Sequence, residues 1–495
     1  MGSPPGLGRR PRAYTEAVPS RRPRLVRRDS AGELSAALAQ LRAELDLPTA
    51  FNAEVLAEAE AAARTVPVDP AAAGVDDLRD IEFLTIDPEG SLDLDQALHL
   101  ERTPTGAVLH YAIADVPAFV QPGGAVDAEA RRRGQTIYAA DGRIPLHPAV
   151  LSEDAASLLP DQDRRAFVWR FELDEQARPV ATTLRRGVVR SRARWSYIDA
   201  QAAIDAGTGP ASLVALAWFG PLRSAREAER GGASLNIPET RVVSDDGHYR
   251  LEREVSLAVE EYNAQVSLLT GMAAAEIMLR GRVGILRTMP AADPDDVAAF
   301  REQTVALGVP WREGVSYGDY LRGLDRSQVV TAAIMDAAAS LFRGAGYVAF
   351  DGEPPADPLQ SAIGAPYAHT TAPLRRLVDR WSLVICEALA NDRPVPPWAR
   401  TSLSELPKIM GRSDGVAGRL DSGTVDRIEA AVLAVRVGES FDAVVLGVRG
   451  DGARVQIAEP PVSAKVAGLT APAGATVRLR LESVDIASGT IVLTP

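Results

Sequence analysis

The spacing of apolar residues changes several times along this chain of 495 residues, and each change predicts a different kind of structure. Apolar residues recur at helical intervals from Leu34 to Leu45, and a second, Ala-rich helix is predicted to run from Asn52, its N-cap, to about Arg64. We therefore predict a small helical N-terminal unit over residues 31–75. Two helices are compatible with a helix-turn-helix fold but do not establish one.

From Ile81 to about Ala390, strand-like runs such as VLHYAIADV, FVWRFEL and GVVRSRARW mix with long helical runs such as SLAVEEYNAQVSLLTGMAAAEIMLRG and PLRRLVDRWSLVICEAL. The two kinds of element do not alternate regularly enough for a βαβ fold, so the predicted fold class is α+β, with mixed sheets and helices. We expect this central domain to span residues 76–392 and a helical linker region to follow over 393–429.

Residues 430–495 alternate apolar and polar positions with period two through FDAVVLGV, ARVQIAE, ATVRLRLESV and TIVLT, with Gly, Asp and Pro turns between them. Five short strands in so short a segment predict a small closed β-barrel of the oligonucleotide-binding kind. Its single aromatic residue is Phe441. Because stacking on aromatic rings supplies much of the affinity for single strands, we expect this barrel to bind nucleic acid weakly.

The composition is that of a soluble globular protein, with 46% apolar and 24% charged residues. No apolar run is long enough to cross a membrane, and the Arg-rich N-terminus lacks the apolar segment of a secretory signal. The single cysteine, Cys386, lies in the apolar run LVICEAL and cannot form an internal disulfide. These features favour a cytoplasmic location.

A net charge of −12 argues against indiscriminate binding of polyanions by the whole surface, so local basic patches matter more. Residues 1–30 carry eight arginines and few apolar residues, and we predict a disordered basic tail there. A second patch, RRGVVRSRAR at 185–194, carries five arginines and no acid. Arginine forks match phosphate geometry, which makes both patches candidate nucleic-acid contacts, although a solvated basic face explains them equally well.

The stretch TIDPEGSLDLDQA, residues 85–97, crowds acidic side chains around a Gly-Ser pair. Asp93 and Asp95 are two positions apart and would share one face of an extended backbone, and the preceding Pro and Gly allow Asp87 to bend toward them. Converging carboxylates repel one another unless a cation neutralises them, and oxygen ligands select Mg²⁺ or Mn²⁺. An acidic surface loop or a calcium loop stays open at this point, although the EF-hand order of ligands is absent.

Further motifs follow in order: AIADVPAFVQPGGAVDAEARRRGQTIYAADGRIPLHPAVLSEDAASLLP, then RSRARWSYIDA, then YAHTTAPLRRLVD. With the acidic stretch they resemble the catalytic domain of the RNB family, which includes RNase II and RNase R, from Ile81 to about Leu389. The C-terminal barrel resembles the family's S1 domain. The resemblance implies hydrolysis of single-stranded RNA from its 3′ end, with release of nucleoside 5′-monophosphates. No strand-rich sequence like the family's cold-shock domains precedes Ile81, so the chain resembles a short form.

The family's four acids follow the pattern D-x5-D-x-D-D, and three of them match Asp87, Asp93 and Asp95. The fourth position holds Gln96, which can ligate a metal or hold a metal-bound water but supplies no charge. We therefore expect these four side chains to bind Mg²⁺, with Mn²⁺ as the alternative ion. The expected site holds two ions, and the second ion binds weakly before RNA arrives.

Arg375 matches the first arginine of the family's T-S-P-I-R-R motif, which reads T-A-P-L-R-R here. With Thr371 as N-cap and Pro373 in the first turn, Arg375 is expected near a helix N-terminus, where its charge and the helix dipole favour a phosphate. The neighbouring Arg376 is expected to contact RNA. The alternative is an exposed helical Arg375 that pairs with Asp379, four residues further on.

Tyr138 and Tyr197 match family tyrosines that stack near the terminal nucleotide and in the RNA channel. A lone tyrosine is more often a core residue with a satisfied hydroxyl, so this assignment depends on the motif around it. Glu260 and Glu261 resemble a helical Glu-Glu pair near the substrate terminus, and we assign the contact to Glu261.

Arg190, Arg192 and Arg194 alternate along a predicted strand that leads to Tyr197. Alternate residues of a strand share a face, so we expect the three arginines to form a row of phosphate contacts. Solvated strand arginines are an equal alternative.

The predicted function is a metal-dependent 3′-to-5′ exoribonuclease that binds single-stranded RNA and acts as a cytoplasmic monomer, with no membrane contact and no protein partner evident. The alternative is a catalytically weakened RNA-binding or regulatory protein that keeps the RNB scaffold but, because of Gln96, hydrolyses little. A structural or adaptor protein is the third possibility, and the order of the motifs argues against it.

Overall fold

The chain is described by a computed structural model, which covers Arg24–Leu25 and residues 32–233, 239–245, 248–254, 257–325, 329–339, 341, 343–449, 452–457 and 459–495. The α-helices are α1 (Glu33–Glu44), α2 (Ala53–Thr65), α3 (Pro70–Ala73), α4 (Val116–Phe119), α5 (Ala125–Arg133), α6 (Tyr197–Asp205), α7 (Ala211–Glu229), α8 (Ala258–Gly281), α9 (Pro294–Ala306), α10 (Tyr317–Arg322), α11 (Val329–Ala339), α12 (Leu377–Ala390), α13 (Pro397–Thr401) and α14 (Leu406–Leu433). The strands are β1 (Arg24–Leu25), β2 (Asp76–Asp77), β3 (Phe83–Asp87), β4 (Gln96–Thr103), β5 (Gly106–Ala114), β6 (Ile137–Ala139), β7 (Gly142–Ile144), β8 (Asp163–Asp174), β9 (Pro179–Ser196), β10 (Glu239–Asp245), β11 (His248–Glu254), β12 (Val283–Thr288), β13 (Gly346–Asp351), β14 (Leu359–Gln360), β15 (Ala365–Pro366), β16 (Ser440–Arg449), β17 (Gly452–Ile457), β18 (Ser463–Ala467), β19 (Thr476–Asp485) and β20 (Thr490–Thr494).

The largest sheet closes on itself. Its strands are hydrogen-bonded in the order β2-β9-β3-β4-β5-β8, and β8 also pairs with β9. The length of β9, 18 residues, allows this closure, because its first part pairs antiparallel with β8 and its last residues pair parallel with β3. Parallel and antiparallel pairs in one sheet, with long helices beside it, confirm the predicted α+β class.

The main apolar core lies between this sheet and the helices α8 and α12. Trp169 of β8 and Trp381 of α12 are both fully buried in it. Cys386 lies in the same core, with its sulfur 3.5 Å from the carbonyl oxygen of Ala274, so the free thiol is the core residue that the sequence predicts. This core therefore supports the edge of the sheet at which β3 and β9 end.

Helices α1 and α2 confirm the two predicted N-terminal helices. Asn52 caps α2, and its side chain accepts a hydrogen bond of 2.9 Å from the backbone N–H of Val55. The two helices do not form a unit of their own, because Leu38 of α1 is buried against α14 and the barrel whereas Val55 is buried in the central domain. The two helices therefore do not form a helix-turn-helix, because the apolar residues of α1 and those of α2 pack against different, distant parts of the chain.

The C-terminal barrel is confirmed. Strands β16 to β20 form a nearly closed five-stranded sheet in the order β18-β17-β16-β19-β20. The barrel starts at Ser440, not at residue 430, because α14 continues through residues 429 and 430 to Leu433. The predicted boundary between linker and barrel thus falls inside a helix.

The predicted basic tail, residues 1–30, lies outside the described residues except for Arg24–Leu25, which pair in parallel with β10. In the part of the chain that the structure describes, no helix has the length and apolar character needed to span a bilayer. The segment that the sequence predicts as a helical linker, 393–429, holds α13 and most of α14.

A buried ion pair joins α5 to α12. The Nη1 atom of Arg380 lies 2.5 Å from Oδ1 of Asp127, and neither side chain is more than 3% exposed. The other oxygen of Asp127 accepts a hydrogen bond from the backbone N–H of Gly123. Both charges are thus fully enclosed and depend on each other.

We expect Asp127→Ala to lower the free energy of unfolding by about 3–5 kcal/mol, because Arg380 would lose its compensating charge in the interior. As a control, Glu276→Ala removes the exposed partner of Arg280, a pair separated by 4.0 Å, and should cost less than about 1 kcal/mol. Urea unfolding followed by circular dichroism measures both variants. Equal, small losses of unfolding free energy in Asp127→Ala and Glu276→Ala would contradict this expectation.

Candidate active site

The acidic residues lie at one edge of the central sheet. Asp87 is the last residue of β3 and pairs in register with Ser196 of β9, so the two strands end side by side. Ser196 caps α6, which begins at Tyr197, and this arrangement places Tyr197 next to Asp87. Asp93 and Asp95 follow in the segment that leads from β3 to β4.

Hydrogen bonds from a neighbouring segment hold the connection between β3 and β4. The hydroxyl of Ser157 accepts a bond of 2.9 Å from the backbone N–H of Leu94 and donates one of 2.6 Å to the carbonyl of Leu92. The N–H of Leu158 donates to the carbonyl of Leu94 at 3.0 Å. Because Leu94 is also fully buried, backbone pairing and packing position the two aspartates that flank it.

Asp95 joins this segment to the turn that precedes α12. Its Oδ1 accepts a hydrogen bond of 2.7 Å from the backbone N–H of Leu374, and its Oδ2 lies 3.1 Å from Nε of Arg375. The side chain is 3% exposed, and burial raises its pKa to about 8, although Arg375 and the Leu374 hydrogen bond oppose the rise. The structure thus brings together Asp95 and Arg375, which are 280 positions apart in the chain.

Asp87 has a buried oxygen that lacks a partner. Its Oδ2 atom makes no hydrogen bond in the described part of the chain. Burial raises the pKa of Asp87 to about 7, and the negative charge of Asp93 adds to this rise while Arg375 opposes it. Asp87, Asp93 and Arg375 are therefore close enough for their charges to act on one another.

Arg143 is a site residue that the motif analysis missed. Its Nη1 lies 2.6 Å from Oδ2 of Asp93, and its Nη2 lies 2.6 Å from Oε1 of Glu153. Arg143 belongs to β7 and pairs in register with Tyr138 of β6. The one signal for it in the sequence was its place five residues after Tyr138 in the same motif.

Gln96 makes a backbone contact that the sequence does not predict. Its Nε2 donates a hydrogen bond of 2.5 Å to the carbonyl oxygen of Thr371. The amide therefore fastens the start of β4 to the turn before α12, next to the Asp95 contact. This bond orients Gln96, and an aspartate could not donate it.

Helix α12 begins later than the sequence predicts. Its first residue is Leu377, so Thr371 is not its N-cap and Pro373 is not in its first turn. The backbone N–H of Leu377 donates to the carbonyl of Gly134 at 3.0 Å, which ties the helix start to the segment after α5. Arg375 consequently lies in a turn just before the helix, near its N-terminus but outside its first turn.

Arg376 points into the interior. It bridges Gln135 in an extended conformation, and its guanidinium forms two hydrogen bonds, of 2.9 and 3.0 Å, with the carboxylate of Asp379. Both side chains are buried. The prediction that Arg376 contacts RNA is therefore wrong. The alternative prediction, an ion pair between Arg375 and Asp379, is also wrong, because Asp379 pairs with Arg376.

Tyr138 lies half-buried in β6, beside the acidic residues. Burial raises the pKa of its hydroxyl to about 12, and the charges of Asp93 and Asp95 add to the rise. Tyr138 therefore lies close to Asp93 and Asp95, and its stacking role stays a prediction.

Tyr197 is 8% exposed, and its ring belongs to the main core. Its hydroxyl is hydrogen-bonded to Asn263, a residue that the motif analysis also missed. Burial raises the pKa of Tyr197, and the charge of Asp87 adds to that effect. Tyr197 therefore packs in the core beside Asp87, and its predicted stacking on a base stays a prediction.

The two glutamates at the start of α8 point in different directions. Glu260 is 2% exposed, and its charge acts on the hydroxyl of Tyr197. Glu261 is exposed and accepts a hydrogen bond of 2.9 Å from the hydroxyl of Ser224 in α7. The side chain of Glu260 also caps α8, since its Oε1 accepts a hydrogen bond of 3.2 Å from the backbone N–H of Leu257, and the RNA contact assigned to Glu261 stays a prediction.

The three arginines of β9 do not form a row. Phe83 and Leu84 of β3 pair with Ser191 and Ala193, so Arg192 is an extra residue in a β-bulge. The bulge reverses the alternation of faces, and Arg190 and Arg194 lie on opposite faces of the strand. Their guanidinium contacts differ accordingly.

The guanidinium of Arg190 pairs with Asp163 at 2.7 Å, and that of Arg192 donates to the carbonyl of Arg79. Arg194 alone reaches the acidic segment, where its Nη1 donates a bond of 2.8 Å to the carbonyl of Ser91. The expected shared row of phosphate contacts is therefore wrong, and Arg194 remains the candidate of the three.

The donor atoms fit a hard cation at Asp87, because its buried Oδ2 has no hydrogen-bond partner in the described part of the chain and Asp93 acts on it. Asp93 and Asp95 each face an arginine already. Within the described ranges, no group of three or more His, Cys, Asp or Glu side chains is arranged to hold one ion. The predicted pair of ions stays a prediction.

The chain belongs to the RNB family. Residues 75–389 match the RNB domain, and residues 439–495 match the RNase II-type exonuclease C-terminal S1 domain. The first match covers more than half of the chain and includes every acidic residue of the candidate site. The resemblance of the motifs to this family is thereby confirmed.

Ribonuclease R of Aquifex aeolicus is 26% identical over 443 residues, which cover 84% of this chain and 60% of that protein. The apo form of Mycoplasma genitalium RNase R superposes with a TM-score of 0.82 at 18% identity, over 93% of this chain and 78% of the other. Yeast Ssd1, described as a pseudonuclease, superposes with a TM-score of 0.68 at 16% identity, over 88% and 56% of the two chains. The matches span between 18% and 62% of the length of these curated relatives.

We expect Asp87→Asn to stabilise the metal-free protein at pH 8 and to have little effect at pH 4. The folded-state pKa of Asp87, about 7, lies above its unfolded value of about 4, so the unfolded state releases its proton first and the free energy of unfolding falls as the pH rises from about 4 to about 7. The amide carries no charge and avoids this cost. Thermal melts in EDTA should show a gain on the order of 2 °C at pH 8. Equal melting temperatures at pH 8 would show that the carboxylate is not strained by burial.

Proposed function

We propose that the chain is a divalent-metal-dependent exoribonuclease that hydrolyses single-stranded RNA from its 3′ end and releases nucleoside 5′-monophosphates. The observation that carries the proposal is the meeting of Asp87, Asp93, Asp95 and Arg375 at one sheet edge in a chain of the RNB family. Carboxylates and an arginine at one buried position are the groups that metal-assisted cleavage of a phosphodiester needs.

Arg375 is the group best placed to bind the phosphate to be cleaved. Its side chain is 15% exposed and is held at Asp95, so its guanidinium is preorganised and partly shielded from water. A charge in such a place stabilises charge on a phosphate oxygen more strongly than it would in bulk water. Tyr138, half-buried beside the same carboxylates, is proposed to stack on the terminal base.

A bound Mg²⁺ or Mn²⁺ would be held by Asp87 and Asp93 and would supply an activated water and charge stabilisation at the phosphate. Asp95 is proposed to act mainly on Arg375, since its two oxygens face the Leu374 N–H and the Arg375 guanidinium. We also propose that Glu260 and the hydroxyl of Tyr197 define the far wall of the nucleotide site.

A catalytically weakened RNA-binding protein is the second candidate. Two observations favour it: Gln96 brings no charge, and Asp93 and Asp95 are already paired with arginines. Ssd1 is an example of this scaffold that is described as a pseudonuclease. The two candidates differ in one measurable property, the hydrolysis of RNA with a divalent ion present.

A 5′-labelled, unstructured RNA incubated with the protein and Mg²⁺ or Mn²⁺ should give a descending ladder that ends in a very short oligomer, and EDTA should abolish it. Asp93→Asn should slow the reaction by at least about 100-fold, because it removes a negative charge at the ion. Asp205→Asn, on the exposed end of α6, is the control and should not change the rate. Intact RNA with both metals, but retained RNA binding, would favour the weakened protein.

Gln96→Asp should lower the rate of RNA shortening and should not raise it. The substitution removes the hydrogen bond to Thr371 and turns a carboxylate toward a carbonyl oxygen, an unsatisfied contact that costs about 1–3 kcal/mol. The turn that carries Arg375 would then be less firmly held. Gln176→Asp, in an exposed turn, makes the same change of charge as a control. A large gain of activity in Gln96→Asp would instead show that the native site lacks an acid.

A further inference from the structure

The hairpin formed by β6 and β7 has two unlike faces. Tyr138 and Arg143 pair across it, so both side chains project to one side, where the carboxylates lie. Ile137 and Ile144 pair one position away and project to the other side, where they pack with Leu41 of α1 and with α14. Each face thus has its own neighbours.

The position of the hairpin is fixed from outside the central domain. Its tip residue, Asp141, forms an ion pair with Arg42 of α1, and the apolar face of the hairpin is covered by α1 and α14 together. Packing of this kind restricts how far Arg143 can move without loss of apolar contact. The packing of the hairpin therefore places the guanidinium of Arg143 beside Asp93, in addition to the attraction between their charges.

Arg143 occupies the oxygen that a metal ion would need. The pair of Nη1 with Oδ2 of Asp93, at 2.6 Å, and the pair of Nη2 with Glu153, also at 2.6 Å, use one guanidinium to neutralise two carboxylates. Asp93 is 15% exposed and Arg143 is 26% exposed, so this pair is only partly screened by water. A divalent ion near Asp93 would be repelled by the guanidinium and would compete with it for the same oxygen.

We propose that Arg143 is a positioning residue that competes with the divalent cation for Asp93, so that the ion binds only as this guanidinium gives up the carboxylate. The inference rests on the proposed function, since it presupposes a cation at Asp87 and Asp93. It adds that metal affinity in this protein is set by an arginine on a hairpin backed by the N-terminal helix α1. Glu153 then serves as the acceptor that retains Arg143 after it leaves Asp93.

The test measures Mn²⁺ binding to the full chain by electron paramagnetic resonance of free Mn²⁺, without RNA. Arg143→Gln should bind Mn²⁺ about tenfold more tightly than the wild type, because it frees the oxygen and removes the repulsion. Arg143→Lys keeps the charge and should stay within about threefold of the wild type. Arg170→Gln removes an arginine that pairs with Glu172 on β8 and is the matched control, with unchanged affinity.

Equal Mn²⁺ affinity in Arg143→Gln and the wild type would overturn this inference and leave the proposed function standing. Unchanged Mn²⁺ affinity with weakened RNA binding would also overturn it, and would make Arg143 a phosphate contact. Absence of Mn²⁺ binding in every variant, together with no shortening of RNA, would overturn both proposals. Circular dichroism and melting temperature establish that each variant is folded, and Arg143→Ala, which removes the same charge, replaces the glutamine variant if the latter does not fold.

Discussion

The buried carboxylate of Asp95 is the constraint on which the candidate site depends. A carboxylate in the interior requires hydrogen bonds or an opposite charge, and Asp95 obtains both from the turn before α12. That turn is held a second time by Gln96, through the carbonyl of Thr371. Two adjacent residues at the start of β4 therefore help to fix the position of Arg375 relative to the other acids.

The same site stores electrostatic strain. Burial raises the pKa of both Asp87 and Asp95, which means that the fold pays, in stability, for placing these acids at the sheet edge. Arg375 offsets part of that cost at both acids, and Arg194 offsets part of it at Asp87. Proteins commonly retain such unfavourable groups where chemistry needs them, and the unpartnered oxygen of Asp87 marks where the compensation is incomplete.

Local sequence patterns predicted what local forces decide. Apolar periodicity gave α1, α2 and the five strands of the barrel, and Asn52 was recognised as a cap because capping depends on neighbours three residues away. Motif order identified the family and three acids of the site. The predictions that were wrong concern features that depend on contacts between distant segments of the chain.

The start of α12 is displaced because Leu377 bonds to Gly134, and the arginine row is broken because one residue of β9 bulges where the strand changes partner from β8 to β3. Arg143 carries no motif, and its role follows from the placement of a hairpin against Asp93. The two N-terminal helices separate because α1 packs against α14, which lies more than 300 residues later, and α2 packs against the central domain. No pattern confined to one stretch of chain encodes such partners.

The packing of α14 also relates the barrel to the site. Phe441, the single aromatic of residues 430–495, is buried in the barrel core, so the barrel has no ring on which a base could stack. Its Ile486 packs with α1 and α14, and its Leu446 is buried against α9, α10 and α11. The helices α1 and α14 also cover the hairpin that carries Tyr138 and Arg143, so the same two helices contact both the barrel and the hairpin. The apolar contacts that the barrel makes outside its own core go to helices of this chain, and its weak binding of RNA stays a prediction.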